Sequence, residues 1–332
     1  MPPGPLYPLT FDPILKSLIW GGRRLGTVLH KPIGDGERYA ESWEISDHRE
    51  DVSRVNNGPL AGSSLRDLIR ERGDELLGTG RSSMTPDQFP LLVKFLDAND
   101  VLSVQVHPDN ALGRKLANDS GKTETWVIIH AEPGSQIYAG LKQGVSREDF
   151  AAALDSNAVE PLLHRFEAKV GDCIMIPAGI VHAIGAGVVL AEIQQMSDAT
   201  FRVYDWGRVG PDGKPRQLHL AEALESTDFR AGPVSPLRPS AEDRSDGSGT
   251  SERLSSCEYF SLERIHLHHT TMVGDDDRFT IVIGLGGEGD IACQGRKTPV
   301  NFGRIVLLPA SIGACEVTPR SKELTLLTCI VP

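Results

Sequence analysis

Four side chains with metal-binding chemistry lie in three short segments of the sequence. Gln105 and His107 are two residues apart in VLSVQVHPD, Glu124 follows in GKTETW, and His182 ends PAGIVH. Successive side chains of a β-strand point to opposite faces, so Gln105 and His107 point the same way and can share one ion. Nitrogen and oxygen ligands without a thiolate suit zinc, manganese, iron or nickel, and zinc is the commonest metal for such a set. The spacing therefore predicts a catalytic metal site.

The alternative is that these histidines only hydrogen-bond in the core or lie on the surface, as several of the ten in this chain must. The surrounding residues argue against it. Gln105 lies between Val104 and Val106 in an apolar run. Burying polar side chains there without partners would cost on the order of 1–3 kcal/mol each. A metal ion would supply the partner.

Composition narrows the classes of function. The length of 332 residues exceeds the usual size of a single core and predicts two domains. Lys plus Arg is 34 and Asp plus Glu is 45, so the net charge is 34 − 45 = −11. This balance disfavours binding to nucleic acid or to an anionic membrane, and an anionic substrate would need a local basic pocket.

Cysteine usage and the N-terminus predict the compartment. The five cysteines are scattered and include no C-x-x-C pair, which disfavours a disulfide framework or a thiolate zinc site. The first residues lack a signal-peptide pattern, and nowhere do about eighteen apolar residues run together. We therefore expect a protein of the reducing cytoplasm.

Most of the patterned segments predict a mainly β scaffold. They are short, rich in Val, Ile and Leu, and bounded by Gly, Pro, Asn or Asp, as strands are. Two segments predict helices instead: SLRDLIRERGDELLG by the spacing of its leucines, and SREDFAAAL by the capping box that Ser146 and Asp149 would form. We expect both helices to pack outside the sheets.

Residues 232–253 predict a linker. Their sequence, GPVSPLRPSAEDRSDGSGTSER, has few large apolar groups to offset the entropy of ordering. We therefore expect a metal-binding domain with small helical elements over residues 1–231, a flexible linker over 232–253, and a C-terminal β domain without metal ligands over 254–332.

A faint repeat on either side of this linker supports two related domains. GDCIMIPAGIVH, residues 171–182, aligns with GRIVLLPASIGA, residues 303–314, and the spacing from Gly to Pro is the same. A strand that begins at a glycine and ends at a proline is a plausible repeated unit. Ala314 takes the place of His182, so the second copy is predicted to keep the fold without the metal.

Two other segments, one rich in histidine and one rich in glycine, resemble binding sites but are better explained as structural elements. His266 and His268 alternate in RIHLHHTT, but no carboxylate or later histidine accompanies them, which favours a surface strand. The glycines of GLGGEGDIACQG lack the following helix and the Lys-Ser/Thr pair of a phosphate-binding loop, which favours a hairpin turn.

Six sequence blocks carry a family resemblance. They are YAESWEIS, FPLLVKFLDA, LSVQVHPD, GKTETW, PAGIVHAIGAG and EIQQMSDATFRVYDWGR, in this order from about residue 39 to 208. Together they closely resemble the type I mannose-6-phosphate isomerase family of the cupin superfamily. Only 182 − 124 = 58 positions separate the last two ligand candidates, so the chain resembles the short bacterial form. The C-terminal third resembles the family only through the repeat.

The resemblance implies a fold of two cupin-like β-barrel or jelly-roll domains with a few short helices packed outside them. It also implies reversible conversion of mannose 6-phosphate to fructose 6-phosphate through an enediolate, with one zinc ion per chain. The residues that match the family's ligands are Gln105, His107, Glu124 and His182.

The resemblance further assigns Arg202 and Lys122 to the active site. Arg202 cannot deprotonate, so it would act as a fixed charge for the enediolate or the phosphate. Lys122 would hold phosphate or, with a lowered pKa, transfer a proton.

Two more charged residues are candidates for substrate binding. Lys94 lies inside the apolar strand LLVKFLD, where it either binds an anionic ligand or packs its stem along the core with the ammonium in solvent. Glu44 follows Trp43 and is either a pocket carboxylate or the partner of a basic side chain.

Two functions of other classes share these ligand types. An iron-dependent cupin dioxygenase would use a similar ligand set, and a non-catalytic sugar-phosphate-binding regulator would bind ligand without turnover. The EIQQMSDATFRVYDWGR block and the complete ligand set favour the isomerase. The expected partner is a sugar phosphate, with no nucleic acid and no membrane. The sequence does not specify the oligomeric state, and a monomer is compatible with it.

Overall fold

The computed structural model describes residues 4–79, 87–210 and 213–332, and they form a mainly β protein, as predicted. The strands up to residue 204 are β1 (Ile14–Lys16), β2 (Glu41–Ile45), β3 (Asp47–His48), β4 (Asp51–Val52), β5 (Leu91–Ala98), β6 (Val104–Val106), β7 (Glu124–Ala131), β8 (Gln136–Leu141), β9 (Leu163–Glu167), β10 (Cys173–Ile176), β11 (His182–Ile184), β12 (Val188–Gln195) and β13 (Phe201–Tyr204). The later strands are β14 (Glu242–Asp243), β15 (Gly249–Ser256), β16 (Ser261–Leu267), β17 (Thr271–Val273), β18 (Thr280–Gly286), β19 (Glu288–Cys293), β20 (Arg296–Asn301), β21 (Ile305–Leu308), β22 (Cys315–Pro319) and β23 (Leu324–Ile330).

The helices are short. They are α1 (Arg24–Thr27), α2 (Leu65–Leu77), α3 (Asn110–Leu112), α4 (Arg147–Asp155) and α5 (Leu220–Ser226), with single turns of other helix types at Gly58–Leu60, Gly113–Ala117, Glu160–Leu162 and Ala310–Ile312. Within the described ranges, none of these helices has the length and apolar character that crossing a membrane requires.

The chain groups into two compact units. Unit 1 comprises Met1–Ile14, Glu44–Pro90 and Arg238–Pro332, and unit 2 comprises Leu15–Trp43 and Leu91–Leu237. Long-range pairing explains the three segments of unit 1, because Leu9 bridges to Leu307 and Gly78 to Arg278. The expected division into 1–231, 232–253 and 254–332 treats the domains as consecutive, and it stays a prediction. The 232–253 segment itself contains β14 and the start of β15.

Unit 2 contains two sheets that enclose one apolar core. The six-stranded sheet has the order β1-β2-β5-β12-β7-β10, and the five-stranded sheet has the order β13-β6-β11-β8-β9. Both sheets contribute to the core, which includes Leu96, Trp126, Ile128, Ile137, Ala139, Ile184 and Leu190. Within the described residues the strand orders give open sheets and no closed barrel, and the arrangement as two cupin-like barrel or jelly-roll domains stays a prediction.

Helix α4 covers the other face of the five-stranded sheet, as predicted. Phe150 and Leu154 of this helix belong to a second apolar cluster together with Val104 and Val106 of β6. Ser146 begins the helix with a capping box, because its hydroxyl accepts from the backbone N–H of Asp149 at 3.0 Å while the Asp149 carboxylate accepts from the Ser146 N–H.

Helix α2 in unit 1 also agrees with its sequence pattern. The hydroxyl of Ser64 caps it by accepting from the N–H of Asp67 at 3.1 Å. The side chains that set the predicted periodicity are the buried ones: Leu65, Leu68, Ile69 and Leu76.

The sheets of unit 1 repeat the strand order of unit 2. Its larger sheet has the order β14-β15-β16-β23-β18-β21 and its smaller sheet the order β17-β22-β19-β20. The aligned segments of the faint repeat, β10 and β21, are each the edge strand of a six-stranded sheet. The two halves of the sequence repeat therefore occupy the same place in two sheets of the same topology.

Candidate metal centre

Three of the predicted metal ligands meet in the core of unit 2. Single ligand atoms of His107, Glu124 and His182 all lie within 4.8 Å of one another, and the three residues are buried. Nε2 of His107 is 3.4 Å from Oε2 of Glu124, and Nε2 of His182 is 3.5 Å from Oε1. These separations allow one ion to contact all three side chains.

The two sheets of unit 2 bring these residues together. Gln105 in β6 pairs directly with His182 at the start of β11, and His107 follows one residue after β6 ends. Glu124 comes from the opposing sheet, as the first residue of β7. The backbone is held at this point because the N–H of Gly179 donates to the carbonyl of His107 at 2.9 Å. The cluster therefore spans the gap between the sheets.

Backbone carbonyls orient both imidazoles. Nδ1 of His107 lies 2.9 Å from the carbonyl of Ala199, and Nδ1 of His182 lies 2.9 Å from the carbonyl of Ile180. A proton on each Nδ1 leaves the Nε2 lone pair directed into the cluster, as in metal-binding histidines. Burial, reinforced by Lys122, lowers the pKa of His107, and burial together with His107 lowers the pKa of His182 to about 3. Both rings are neutral at pH 7, as metal ligation requires.

Glu124 supplies the negative charge of the cluster. Burial opposes its ionisation, but Lys122 and His107 outweigh burial and hold the pKa of Glu124 well below its usual range. Neither of its oxygens accepts a hydrogen bond of good geometry from the described residues, although the Lys122 ammonium is 2.7 Å from Oε2. A buried carboxylate facing two imidazole lone pairs fits a cation.

Gln105 adjoins the same cluster. Its Nε2 lies 3.2 Å from Nε2 of His182. The amide oxygen and nitrogen are exchangeable by rotation about the last side-chain bond, so either can face the site. The structure thus brings Gln105 next to the three other candidates, and its role as a fourth ligand stays a prediction.

A compact loop places Lys122 beside the cluster. The segment between His107 and Glu124, predicted to border the pocket, folds back so that the N–H of Lys122 donates to the carbonyl of Pro108 at 3.0 Å. The side-chain oxygen of Asn110 accepts from the N–H of Gly121 at 3.0 Å. No side chain fits at Gly121, because a Cβ there would lie 2.4 Å from the backbone nitrogen of Asn110. The ammonium of Lys122 consequently lies 3.1 Å from Nε2 of His107.

Further buried charges extend the cluster along the six-stranded sheet. Glu192 lies 3.1 Å from Lys94 and 3.4 Å from Lys122, and it accepts a hydrogen bond from the Trp126 indole at 3.0 Å. Glu41 lies 3.4 Å from Lys94. Burial and the charge of Glu124 raise the pKa of Glu192. Three carboxylates thus share two ammonium groups, and a bound cation would offset the excess negative charge.

Lys94 is a core residue of this network. Its side chain is 4% exposed, so the alternative in which its ammonium reaches solvent is wrong. Burial opposes its charge, but Glu192 and Glu41 outweigh burial and raise the pKa of Lys94. The structure therefore places a charged lysine beside the candidate ligands.

Glu44 and Glu41 belong to the same strand, β2, but lie on opposite faces of it. Glu44 is buried, and it lies three residues after Glu41. The structure brings Glu41 to Lys94 and does not bring Glu44 to it. The role of Glu44 in substrate binding stays a prediction.

Arg202 continues the row of ligand candidates. It pairs directly with Gln105 across β13 and β6, and Gln105 pairs with His182 across β6 and β11. Residues directly opposite each other in antiparallel strands point to the same face. The Arg202 guanidinium donates to the carbonyl of Gln217 at 2.9 Å, and its Nε is buried without a hydrogen-bond partner in the described chain. Burial, assisted by Arg216, lowers the pKa of Arg202.

Sequence reasoning missed two residues of the network, Glu41 and Glu192. Glu192 stands in the apolar strand VVLAEIQQ, where a carboxylate needs a buried partner just as Lys94 does. Glu41 is two residues before Trp43, so strand alternation puts both on one face, and the Trp43 indole donates to Glu41 at 2.6 Å. Alternation could therefore have selected Glu41 instead of Glu44.

The histidines of RIHLHHTT belong to no metal cluster in the part of the chain that the structure describes. His266 is partly exposed in β16, and Glu323 lies 3.4 Å from its Nδ1. The glycine-rich segment, residues 284–295, spans the end of β18, all of β19 and the two-residue turn at Gln294 and Gly295 that joins β19 to β20 as a hairpin. Both interpretations from the sequence, a surface strand and a hairpin turn, are confirmed.

Parts of this chain match two family models, and a bacterial relative matches nearly all of it. Residues 9–123 match the model of the phosphomannose isomerase type I catalytic domain, and residues 250–324 match that of the mannose-6-phosphate isomerase cupin domain. The mannose-6-phosphate isomerase of Streptococcus mutans is 34% identical over 92% of this chain and 93% of its own length.

Solved structures show the same fold. A mannose 6-phosphate isomerase from Bacillus subtilis superposes with a TM-score of 0.87 at 31% identity and covers 98% of this chain and 99% of its own. A mannose 6-phosphate isomerase bound with zinc and yttrium has a TM-score of 0.76 at 17% identity, with coverage of 98% and 100%. The chain belongs to the mannose-6-phosphate isomerase family.

Proposed function

We propose that this protein is a metal-dependent isomerase that interconverts mannose 6-phosphate and fructose 6-phosphate. One observation carries the proposal: His107, Glu124 and His182 converge within 4.8 Å of one another, next to buried lysines, in a chain of this family. The reaction moves a proton between C1 and C2 of the sugar and develops negative charge on the adjacent oxygen. It therefore requires fixed positive charge beside those carbons.

We propose one zinc ion per chain as the cofactor, with Gln105 as the fourth ligand beside His107, Glu124 and His182. The donor set fits it, because the two neutral imidazoles, the carboxylate and an amide oxygen are nitrogen and oxygen ligands without thiolate. When bound, zinc would act as a Lewis acid that polarises the sugar oxygens.

Lys122 is proposed to hold an oxygen of the sugar as a point charge. Burial disfavours the ammonium form, but the carboxylates of Glu124 and Glu192 outweigh burial and raise the pKa of Lys122. A lysine with a raised pKa keeps its proton, which favours the role of a fixed charge over that of a base. Its ammonium is 2.7 Å from Glu124, so the charge acts at the end of the sugar that meets the ligands.

Arg202 and Lys94 complete the proposed electrostatic environment. Arg202 lies in the same row as Gln105 and His182 and stays charged at neutral pH, so it can stabilise negative charge on the substrate. Lys94 is held by Glu192 and Glu41, and through Glu192 it fixes the position of Lys122. Glu44 is retained as a candidate for substrate binding.

The thiols support action in the cytoplasm, which we also propose. None of the five cysteines, all of which lie in the described ranges, forms a disulfide, and Cys173, Cys293, Cys315 and Cys329 are buried. Free thiols persist in a reducing compartment. The proposed partner is a small sugar phosphate, with no nucleic acid and no membrane, and a monomer is compatible with this proposal.

A coupled assay tests the function directly. Purified protein is given mannose 6-phosphate, and formation of fructose 6-phosphate is followed before chelation, after chelation, and after Zn²⁺ is restored. We expect activity that disappears with the chelator and returns with the metal. Activity that survives complete removal of metal, verified by elemental analysis, would contradict the proposal.

The same preparation distinguishes the two other functions. An iron-dependent dioxygenase would consume O₂ and would lose activity when zinc replaces iron. A non-catalytic regulator would bind mannose 6-phosphate in equilibrium dialysis and form no fructose 6-phosphate. Family membership and the converging candidate ligands favour the isomerase over both the dioxygenase and the regulator.

A further inference from the structure

The C-terminal part of unit 1 contains a cavity of about 250 Å³ between its strands. Its polar lining includes Arg253, Ser261, Glu263, Thr280 and Thr328, and Ile265 and Met272 contribute apolar surface. The volume lies below the roughly 300–1,000 Å³ of sites for drug-sized ligands and suits a monosaccharide-sized molecule. The combination of hydroxyl, carboxylate and guanidinium groups with an apolar patch is suited to a polyhydroxylated ligand.

Thr280 occupies the place in unit 1 that Glu124 occupies in unit 2. Glu124 pairs with Ile176, which precedes Pro177, and Thr280 pairs with Leu308, which precedes the aligned Pro309. Thr280 is 3% exposed, and its hydroxyl has no hydrogen-bond partner among the residues that the structure describes. A buried hydroxyl without a hydrogen-bond partner is unfavourable, so a hydrogen bond from Thr280 to a ligand atom would stabilise the site.

The next row of the sheet repeats the same correspondence. In unit 2, Trp126, Glu192 and Lys94 pair in sequence across β7, β12 and β5. In unit 1, the equivalent row across β18, β23, β16 and β15 consists of Val282, Thr328, Glu263 and Arg253. The cavity therefore lies at the position in unit 1 that corresponds to the candidate metal centre, but it is lined by hydroxyls and charges of a different kind.

Two of these charges are available to a ligand. The Arg253 guanidinium and the Glu263 carboxylate line the cavity on adjacent strands, and neither forms an ion pair with any described residue. Arg244, also in the lining, donates to the hydroxyls of Ser248 and Thr271 at 3.0 and 3.3 Å. A guanidinium recognises phosphate, and a carboxylate accepts hydrogen bonds from sugar hydroxyls.

We propose that this cavity is a second, metal-free binding site for a monosaccharide phosphate, separate from the metal centre. Arg253 binds the phosphate, while Glu263 and the hydroxyls of Thr280, Thr328 and Ser261 bind the sugar. Its described lining contains none of the candidate metal ligands of unit 2, and the proposed role of this site is binding and not isomerisation.

Equilibrium dialysis of the full-length, zinc-loaded protein tests this site. Labelled mannose 6-phosphate is allowed to reach isomerisation equilibrium, and total bound hexose phosphate is counted per chain up to millimolar concentration. We expect two sites per chain in the wild type. Unlabelled inorganic phosphate and unlabelled mannose, added separately, show which half of the ligand displaces binding at the second site.

Two variants with matched controls assign the second site to the cavity. Thr280→Val is expected to weaken it about tenfold, as for the loss of one buried hydrogen bond, and Arg253→Gln by more than tenfold. The controls are Thr298→Val, another buried threonine of unit 1, and Arg320→Gln, a partly exposed arginine of unit 1; both should keep two sites. Unchanged kcat in all four variants verifies that the proteins are folded.

A wild type that binds one hexose phosphate per chain would overturn the inference, and so would two sites that survive both Thr280→Val and Arg253→Gln. This outcome is distinct from failure of the proposed function, because dialysis counts bound ligand whether or not the protein isomerises it. Isomerase activity together with one bound hexose phosphate per chain would contradict only the second binding site. Two bound hexose phosphates per chain without turnover would contradict only the proposed isomerase function.

Discussion

Arg202 lies directly opposite Gln105 on adjacent antiparallel strands, and Gln105 in turn lies directly opposite His182. This register puts a permanent positive charge on the same sheet face as two candidate metal ligands, with about 4.5–5.5 Å between the Cβ atoms of directly opposite residues. The guanidinium is held in place by the carbonyl of Gln217. We therefore propose that Arg202 acts on the substrate and does not ligate the metal.

Substitution of Arg202 distinguishes a role in stabilising the substrate from a role in holding the metal. Arg202→Ala is expected to retain metal and to lower kcat by roughly 10²- to 10³-fold, the loss typical of one preorganised electrostatic group. Metal content by elemental analysis and steady-state kinetics check this together. Arg230→Ala is the control, because that side chain is 94% exposed, and it should leave kcat unchanged. Loss of metal from Arg202→Ala would show that the arginine organises the ligands.

Removal of either histidine should empty the site. His107→Ala and His182→Ala each delete one of the convergent nitrogen ligands, so we expect both bound metal and turnover to fall below detection. The measurement is metal per chain after gel filtration, together with the coupled assay. His268→Ala, on the partly exposed histidine outside this cluster, should retain both. A variant that binds metal as the wild type does would contradict the assignment of that ligand.

Lys94 should contribute strongly to stability. Lys94→Met removes the buried ammonium that lies 3.1 Å from Glu192 and 3.4 Å from Glu41, and we expect the free energy of unfolding to fall by about 3–5 kcal/mol. Urea denaturation followed by circular dichroism measures it. In the double variant Lys94→Met/Glu192→Gln, the loss should be smaller, because an unpaired charge is removed.

The control for this prediction is an exposed ion pair. Arg165 and Glu160 are 3.6 Å apart with side chains 59% and 46% exposed, so Arg165→Gln should change the free energy of unfolding by about 0–1 kcal/mol. Equal losses in Lys94→Met and Arg165→Gln would mean that the buried network is not a structural element.

Gly121 should determine where Lys122 lies. In Gly121→Ala, the new Cβ would meet the backbone of Asn110 at 2.4 Å, so the loop must move and take the ammonium of Lys122 away from His107. We expect kcat to fall at least about tenfold while metal binding persists. Gly286→Ala is the comparison, because its Cβ would make only ordinary contacts at 3.7 Å or more, and it should leave kcat near the wild-type value.

The local pattern of the sequence was sufficient for several features. Apolar spacing predicted α2, and the Ser146–Asp149 pair predicted the start of α4, because both depend on residues within one or two helical turns. Gln105 and His107 could be chosen because they are polar side chains in an apolar stretch, where each needs a buried partner. The family resemblance then added Arg202 and Lys122.

Long-range pairing was less accessible from sequence. The N-terminal segments join strands some three hundred residues later, as Leu9 does with Leu307, and no local signal specifies such a partner. Glu192 was overlooked because its role depends on Lys94 and Lys122 on two other segments. Glu41 was overlooked because it is marked by sharing a strand face with Trp43, two residues away, and not by being adjacent to it in sequence.

The sequence by itself determined the chemistry of the candidate ligands, the mainly β scaffold and the family, because these follow from residue types, local periodicity and the order of six short sequence blocks. Only the tertiary structure decided that three candidate ligands converge, that Lys94 is buried in the core, and that Thr280 lines a cavity at the position in unit 1 that corresponds to Glu124. The physical reason is that side-chain period within a strand is local, whereas the register between strands is set by packing of the whole sheet.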